Sequence, residues 1–296
     1  MSDGNDPGAL AASLAELRQA SEQAVQLQHG LLWALTALKD LVLQAQTTAL
    51  QAAHRNPLNA FGRKCFSQTD EDGITLEIVR RLGLAEGVYA EFGVGDGLEN
   101  NTLILAALGW KGFWVGGEEL AVRVLESPRF AYIRDWITRD NILAQAATGL
   151  SAVAAQDIDV LSLDLDGNDI HFAEALLQSG LHPKLFIVEY NAKFPPPVRF
   201  EIPYNPEHRW VGDDFFGASL TSFADLFARH GYTLVCCNAH TGSNAFFVRS
   251  DHAEHFADVP EAIADIYVSP RYHLYAQHGH RPSPQVVETI LYRAAP

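Results

Sequence analysis

The sequence predicts an α/β domain, doubly wound around a seven-stranded and mostly parallel sheet, which follows a long N-terminal helix. Between residues 66 and 191, short runs rich in β-branched and aromatic residues alternate with apolar helical runs. This alternation is typical of a parallel sheet with helices on both faces. The last two strand-like runs, 233–238 and 245–249, follow each other across a short loop. They predict a closing hairpin, in which the last strand is antiparallel to the sheet.

The strands are predicted from short buried runs that end at a turn signal. The first two are Val88 to Phe92 and Phe113 to Gly117, and the third is expected around Trp136 to Thr138. The fourth leads from Ile158 into an acidic stretch that ends at Asp169. The fifth leads from Lys184 to Asn191. Together with the hairpin these runs give seven strands.

Residues 1–56 form the predicted helical segment and residues 57–296 the α/β domain, with Asn56-Pro57 at the boundary. From Pro7 to about His54 the chain has no further proline and is dense in alanine, leucine and glutamine. Residues spaced by 4 and 3 give a 3.5-residue period that only Ser21 and Gln28 interrupt. The series is Leu10, Leu14, Leu17, Ser21, Ala24, Gln28, Leu31, Leu35, Leu38, Val42, Ala45 and Ala49.

This period predicts a homo-oligomer held together by a coiled coil of N-terminal helices. An antiparallel helical pair, broken at Gly30 and packed on the same subunit, is the alternative. A helix lying on a membrane surface is disfavoured because the segment lacks a polar face rich in lysine and arginine.

Composition excludes several classes of function. The formal net charge is −15 and no basic stripe is visible, so we expect no nucleic-acid partner. No apolar run is long enough to predict a membrane span. The three cysteines, Cys65, Cys236 and Cys237, lack zinc-type spacing and are expected to be core thiols in a reducing compartment. No signal-peptide pattern is visible, and a cytoplasmic enzyme is the expectation.

A strand–turn–helix unit at residues 87–108 is the most informative part of the chain. The strand-like run Val88 to Phe92 is followed by glycines at alternate positions, Gly93, Gly95 and Gly97. An apolar helical run comes next. Because glycine has no Cβ, a nucleotide can lie directly against the backbone of such a turn.

Two classes of cofactor use a turn of this kind. In the dinucleotide fingerprint G-x-G-x-x-G the third glycine would fall where this chain has Leu98. Glu91, Asp96 and Glu99 line the turn and would repel a pyrophosphate, whereas they suit the sulfonium and ammonium groups of S-adenosylmethionine (SAM). A NAD-dependent sugar oxidoreductase and a tight connection without any ligand remain as alternatives.

Five motifs, taken together, carry a resemblance to a known family. In chain order they are FSQTDEDGI, YAEFGVGDGLENNT, GWKGFW, DVLSLDLDGND and FIVEYN. Their order and spacing resemble those of the FkbM-like branch of the class I SAM-dependent methyltransferases, over about residues 61–250. The resemblance implies a Rossmann-like sheet that binds SAM and methyl transfer to an oxygen, often on a sugar. The implied acceptor is therefore a hydroxyl of a sugar or glycan.

The resemblance also implies which residues bind the cofactor. A loop over the cofactor would supply Gln68, Glu71 and Asp72. Asp140 or Asn141, after the third strand, would approach the adenine. The residues that would lie along the methionine part of SAM are Glu91, Gly93, Gly95 and Asp96.

The ribose hydroxyls of a nucleotide are expected at an acid on the tip of the second strand. Many enzymes of the family carry this acid directly after the apolar core of the strand, where this chain has Gly116-Gly117. Glu118, one residue further on, is the predicted ribose ligand, with Glu119 as the alternative.

A divalent cation, Mg²⁺ or Mn²⁺, is predicted where the fourth and fifth strands end. These ends meet at one edge of a parallel sheet, and all their polar side chains offer oxygen ligands. The alternative is a turn whose carboxylates cap the next helix. The predicted ligands are Asp164, Asp166, Glu189 and Asn191.

A sugar hydroxyl needs help to lose its proton near pH 7. The long loop 194–217 carries aromatic and acidic residues and His208, which is the preferred base because of the ordinary pKa of imidazole. Asp164 and Asp214 are candidate catalytic carboxylates, and His171 and His240 are alternative bases. A catalytically inactive, methyltransferase-like interaction module remains as a further alternative.

Overall fold

The computed structural model describes residues 7–271 and 283–292. Within them, none of the helices combines the length and the apolar character that crossing a membrane requires. The chain consists of two compact units, Met1–Ala49 and Leu50–Pro296. The strands, all in the second unit, are β1 (Val88–Phe92), β2 (Lys111–Gly116), β3 (Phe130–Arg134), β4 (Val160–Leu163), β5 (Leu185–Glu189), β6 (Tyr232–Cys237) and β7 (Asn244–Arg249).

The strands form one sheet in the order β3-β2-β1-β4-β5-β7-β6. Strands β1 to β5 pair in parallel, and β7 is antiparallel to both β5 and β6. The predicted fold class, a Rossmann-like and mostly parallel sheet of seven strands with an antiparallel last strand, is confirmed. The chain runs outward from β1 to β3 and then returns to place β4 beside β1. The carboxyl ends of β1 and β4 therefore flank a topological switch point.

Helices cover both faces of the sheet. In chain order, the α-helices of the described residues are α1 (Pro7–Ala53), α2 (Glu71–Arg81), α3 (Leu103–Ala107), α4 (Ile142–Ala152), α5 (Asp169–Gln178), α6 (Leu220–Arg229), α7 (Ile263–Ile266) and α8 (Pro284–Tyr292), with 3₁₀ helices at Pro57–Phe61 and Ser250–Phe256.

Successive residues of a strand point to opposite faces of the sheet, and each face has its own apolar core. In β1, Phe92 packs with α4, α5 and α6 on one face, and Tyr89 packs with α2 and α3 on the other. The sheet is thus buried on both sides, as parallel sheets are.

The third strand lies before its predicted position. It is Phe130–Arg134 and not Trp136–Thr138, although Trp136, Ile137 and Thr138 all favour strands. The reason is the partner strand: Arg134 is opposite Gly116, the last residue of β2, so residues beyond it have no strand to pair with. The prediction for this strand was wrong, and Trp136 is free for another role.

The N-terminal helix α1 is continuous from Pro7 to Ala53 and passes through Gly30 without a break. The long helix is therefore confirmed, and the alternative of a helical pair broken at Gly30 is wrong. Most of its large apolar side chains are exposed, among them Leu31, Leu35 and Leu38.

Candidate functional site

A cavity of about 870 Å³ opens at the carboxyl edge of the sheet, beyond the ends of β1 and β4. Ligand sites of α/β sheets form at such switch points, and sites for small molecules measure roughly 300–1,000 Å³. The wall combines the turn after β1, the ends of β2 and β4, and the loop 206–210. Its residues include Gln68, Gly93, Gly95, Asp96, Gly117, Glu118, Trp136, Ile137, Asp164, Asp166, Asn168, His208, Arg209, Trp210 and Asn244.

Gly93 and Gly95 have different structural reasons to be glycine. Both have positive φ, +89° and +50°, which side-chain-bearing residues rarely adopt. A Cβ on Gly93 would collide with the backbone carbonyl oxygen of Asp164, so this glycine lets β1 and β4 end close together. A Cβ on Gly95 would meet no atom within 4 Å. Gly95 therefore presents bare backbone to the open cavity, as predicted.

Glu91, the fourth of the five residues of β1, holds the start of the next helix. Its carboxylate accepts hydrogen bonds from the backbone N–H of Asn101 at 2.8 Å, the N–H of Thr102 at 3.0 Å and the Thr102 hydroxyl at 2.6 Å. Burial raises the pKa of Glu91 to about 7, although these donors oppose the rise. The N–H groups at the start of α3, next to the cavity, are therefore already hydrogen-bonded to the Glu91 carboxylate.

Asp96, Glu118 and Gln68 lie where the sequence predicts them, in the cavity wall. Asp96 and Glu118 are exposed to the cavity, so their charges act on whatever it holds. With Glu91, Glu99, Asp164 and Asp166 they give the wall a strongly acidic character, and Arg209 lies at its rim.

The structure does not bring Glu71 and Asp72 into the wall. Asp72 is buried, and its Oδ2 accepts hydrogen bonds from the N–H groups of Cys65, Phe66 and Ser67 at 2.7–2.8 Å. Glu71 is fully buried and accepts the Thr69 hydroxyl at 2.8 Å. Both carboxylates shape the loop that carries Gln68, and only Gln68 reaches the cavity.

Asp140 and Asn141 also lie outside the wall. The Asn141 side-chain amide donates to the carbonyl of Trp136 at 2.8 Å and accepts the N–H of Thr138 at 2.7 Å, while Asp140 faces solvent. The wall contains Trp136 and Ile137 instead. Sequence reasoning missed these two because it assigned them to a strand. The only signal in the sequence was a large aromatic residue close to the end of the third strand.

Three carboxylates meet at the ends of β4 and β5. One oxygen from each of Asp164, Asp166 and Glu189 lies within 4.8 Å of the other two. Burial raises the pKa values of Asp164 and Glu189 well above their ordinary range, and repulsion from the neighbouring carboxylates adds to it. The predicted grouping of these three residues is thus present, and hard oxygen ligands of this kind fit a divalent cation.

The neighbouring Asp169 has a structural task. Its two oxygens accept the N–H groups of Leu165 at 2.7 Å and Gly167 at 2.9 Å, which fixes the turn into α5. Burial raises its pKa to about 6. Asp169 therefore stabilises the turn before α5 and caps no N–H group of the helix, while Asp164 and Asp166 face the cavity.

Asn191 and Asp214 lie behind the wall. Asn191 is fully buried, donates to the carbonyls of Asp214 and Phe216 at 3.0 Å each, and accepts the N–H of Lys193 at 3.2 Å. Asp214 pairs with Lys193 and accepts the N–H of Ser283 at 2.8 Å. The Asn191 amide and the Asp214 carboxylate are thus already engaged in hydrogen bonds and an ion pair within the protein. The contacts of Asn191 also hold the loop 193–216 against the end of β5.

His208 lies in the wall and its ring packs over Gly167, where a Cβ would collide with it. Burial lowers the pKa of His208 below the ordinary 6.5. Its Nε2 is buried and has no hydrogen-bond partner within the described part of the chain. The alternative bases lie outside the wall, and His171 Nε2 is 2.8 Å from the carbonyl of Ile202.

The loop that carries His208 is fixed at two points. Asn168 and Asn205 exchange hydrogen bonds of 2.7 and 3.1 Å, and the Trp136 indole N–H donates to the carbonyl of Pro206 at 2.9 Å. The Arg209 guanidinium lies 4.8 Å from the centre of the Trp136 ring. The loop thus closes one side of the cavity.

No sequence profile of a protein family matches the chain, and the search of curated proteins finds no match. Among solved structures, the glycopeptide N-methyltransferase MtfA with S-adenosylhomocysteine is 16% identical, with 65% of this chain and 95% of that chain covered and a TM-score of 0.34. The methyltransferase MycE, solved with Mg, S-adenosylhomocysteine and mycinamycin VI, is 14% identical over 59% and 45% of the two chains, with a TM-score of 0.31. An O-methyltransferase family 2 protein from Planctomyces limnophilus, solved with apigenin, is 13% identical over 55% and 50%, with a TM-score of 0.30.

These neighbours are methyltransferases. The fold of the present chain is established independently of them, by its own strand order and pairing.

Proposed function

We propose that the protein is a SAM-dependent methyltransferase of the FkbM-like branch, which methylates a hydroxyl of a sugar or glycan with the help of a divalent cation. The observation that carries the proposal is the cavity at the switch point, where the bare backbone of Gly95 faces an acidic wall. Such a surface admits a nucleoside closely and favours a positively charged ligand.

The proposed cofactor site consists of residues already in the wall. The turn Gly93 to Asp96 would hold the methionine part of SAM, with the Asp96 carboxylate near its ammonium group. Glu118 would accept hydrogen bonds from the ribose, and Trp136 and Ile137 offer an apolar surface to the adenine. When bound, SAM supplies an electrophilic methyl group.

A dinucleotide fits this site less well. Its pyrophosphate would need the free N–H groups of a helix N-terminus. Those of Asn101 and Thr102 are bound to Glu91. Asp96 and Glu99 would add repulsion.

His208 is the proposed base. Because burial lowers its pKa, the imidazole is neutral near pH 7, and its unpartnered Nε2 can accept the proton of an acceptor hydroxyl. The neighbouring loop residues Arg209 and Trp210 give a polar and aromatic surface of the kind that contacts sugar rings.

Asp164, Asp166 and Glu189 are the proposed ligands of the cation. Burial raises the pKa values of Asp164 and Glu189, and repulsion from the neighbouring carboxylates adds to the rise; a divalent cation would remove that repulsion. Since the ligands are hard oxygens, Mg²⁺ and Mn²⁺ fit better than zinc. When bound, such a cation polarises an acceptor oxygen.

A pair of glycine variants tests SAM binding. Gly95→Val should abolish SAM binding in calorimetry, because the side chain would enter the cavity. Gly83→Val is the matched control: Gly83 also has positive φ, +67°, and open space around a Cβ, but it lies outside the cavity wall. Both variants carry similar backbone strain, and only the first should lose SAM. Equal SAM affinity in the two variants, or no binding by the unaltered protein, would contradict the proposal.

A further inference from the structure

Asn244, the first residue of β7, belongs to the same corner of the cavity as the three carboxylates. It pairs directly with Glu189 across the antiparallel β5–β7 ladder. Side chains of directly opposite residues project from the same face of a sheet, with Cβ atoms about 4.5–5.5 Å apart. Asn244 lines the cavity together with Asp164 and Asp166.

The buried Glu71 determines which way the Asn244 amide points. Asn244 Nδ2 donates to Glu71 Oε1 at 3.0 Å. The same oxygen accepts Asn238 Nδ2 at 3.0 Å and the Thr69 hydroxyl at 2.8 Å. An oxygen surrounded by donors requires the NH₂ end of Asn244, so the carbonyl end turns away from Glu71.

That carbonyl oxygen is left without a partner. The Asn244 residue is only 4% exposed, and its Oδ1 has no hydrogen-bond partner among the described residues. A buried acceptor in this state is destabilising unless a ligand satisfies it. Its neighbours Asp164, Asp166 and Glu189 are acceptors as well when they are ionised. A divalent cation is a ligand that accepts both an amide oxygen and carboxylate oxygens.

We propose that Asn244 Oδ1 is a further ligand of the divalent cation, and that Glu71 is a positioning residue that holds the Asn244 amide in this orientation. The proposal rests on the cation of the proposed function. The ligands would then lie at the ends of three strands: Asp164 and Asp166 follow β4, Glu189 ends β5 and Asn244 begins β7. The buried Glu71 would affect the cavity only by orienting Asn244. The sequence-predicted amide ligand, Asn191, has its groups engaged elsewhere.

The experiment is a Mn²⁺ titration of the full chain, with free Mn²⁺ followed by electron paramagnetic resonance and SAM affinity measured on the same samples. Asn244→Ala should weaken Mn²⁺ binding by about tenfold or more, and Glu71→Gln by a smaller factor, because a lost or misplaced ligand weakens a metal site. SAM affinity should stay unchanged in both. Asn101→Ala is the matched control, since Asn101 is a buried asparagine of the same wall that donates to Ser162 at 3.1 Å. It should leave Mn²⁺ affinity unchanged.

Unchanged Mn²⁺ affinity in Asn244→Ala would overturn the proposal. So would a loss of SAM affinity without a loss of Mn²⁺ affinity, because Oδ1 would then accept a hydrogen bond from the organic ligand. If the unaltered protein binds SAM and no Mn²⁺, both the cation and this proposal fail while the methyltransferase assignment stands. Should the variants not fold, a crystal structure of the unaltered protein with Mn²⁺, located by anomalous scattering, decides: an ion held by carboxylates alone overturns the proposal.

Discussion

His208 is half-buried beside Gly167, and its environment sets the pH range in which it can serve as a base. Burial lowers its pKa, whereas the nearby Asp213 and Asp166 oppose the shift. The neutral imidazole therefore predominates from a pH somewhat below 6.5 upward.

The prediction is that methyl transfer rises with pH through a midpoint below 6.5, and that His208→Asn lowers turnover by roughly 10²- to 10⁴-fold, as the loss of a general base does. Turnover against pH, with SAM affinity measured in parallel, tests it. His171→Asn is the control, because His171 contacts the carbonyl of Ile202 outside the cavity. Equal turnover in the two variants would assign the proton to another group.

Carboxylates a few residues apart differ in environment, and this decides their roles. Asp164 faces the cavity, whereas Asp169 accepts two backbone N–H groups and fixes a turn. Asp72 does the same for the loop before α2. A carboxylate whose lone pairs are used by backbone donors has little left for a ligand, and the sequence does not show which carboxylates these are.

Among the elements, α1 exposes an apolar stripe of unusual length. The stripe with a 3.5-residue period includes Leu31, Leu35 and Leu38, and these side chains are more than half exposed. Next to it, Leu27, Leu32 and Leu41 widen the apolar face. Exposed apolar surface of this extent marks an interaction site, and the period of 3.5 suits another helix. We propose that α1 associates with α1 of further copies of the chain.

Two changes test this assembly by light scattering. Removal of residues 1–49, the first compact unit, should lower the oligomer mass and leave SAM affinity intact. The cut spares Leu50, which packs on the core, and Gln51, which donates to the carbonyl of Gly62 at 3.2 Å.

Within the full chain, Leu35→Asp with Leu38→Asp should act like the deletion, because both charges would lie in the stripe. Gln26→Asp, on the same helix outside the stripe, should leave the mass unchanged. A mass that none of these changes alters would mean that α1 does not mediate assembly.

At the scale of the whole molecule, buried carboxyls link stability to pH. Burial raises the pKa of Glu91 from 4.5 to about 7 and that of Asp169 from 3.8 to about 6. Burial also raises the pKa values of Asp164 and Glu189, and repulsion from their neighbours adds to that rise. The folded state thus binds more protons than the unfolded state. Their stabilising contribution is complete below the unfolded-state pKa values and is lost as pH rises through the folded ones. For Glu91 alone it is on the order of 3 kcal/mol.

We predict that in EDTA the free energy of unfolding decreases between pH 5 and pH 8, and that Mg²⁺ restores stability at pH 8 but hardly at pH 5. The cation binds the ionised form of Asp164, Asp166 and Glu189, which the low pH removes. Urea denaturation at both pH values measures this. Because the net charge is −15, NaCl at equal ionic strength is the control for screening. An effect of Mg²⁺ that is equal at both pH values, or equal to that of NaCl, would contradict a specific cation site.

The sequence by itself determined the features that depend on local patterns. Strand and helix periodicities predict the positions of six of the seven strands and the continuous α1, and the alternate glycines predict the turn after β1. Side-chain alternation and positive φ are properties of neighbouring residues. The grouping of Asp164, Asp166 and Glu189 could also be predicted from the sequence, because parallel strands bring their carboxyl ends to one edge of the sheet.

Tertiary structure alone decided which polar side chains face the cavity. Glu71 meets Asn244 across 173 residues of chain, and Asn191 is saturated by carbonyls of the loop at Asp214 and Phe216. Because β2 ends at Gly116, β3 has no partner strand beyond Arg134. Trp136 therefore lies outside the sheet and in the cavity wall. Burial and hydrogen-bond saturation depend on partners far apart in the sequence, and a local pattern does not contain those partners.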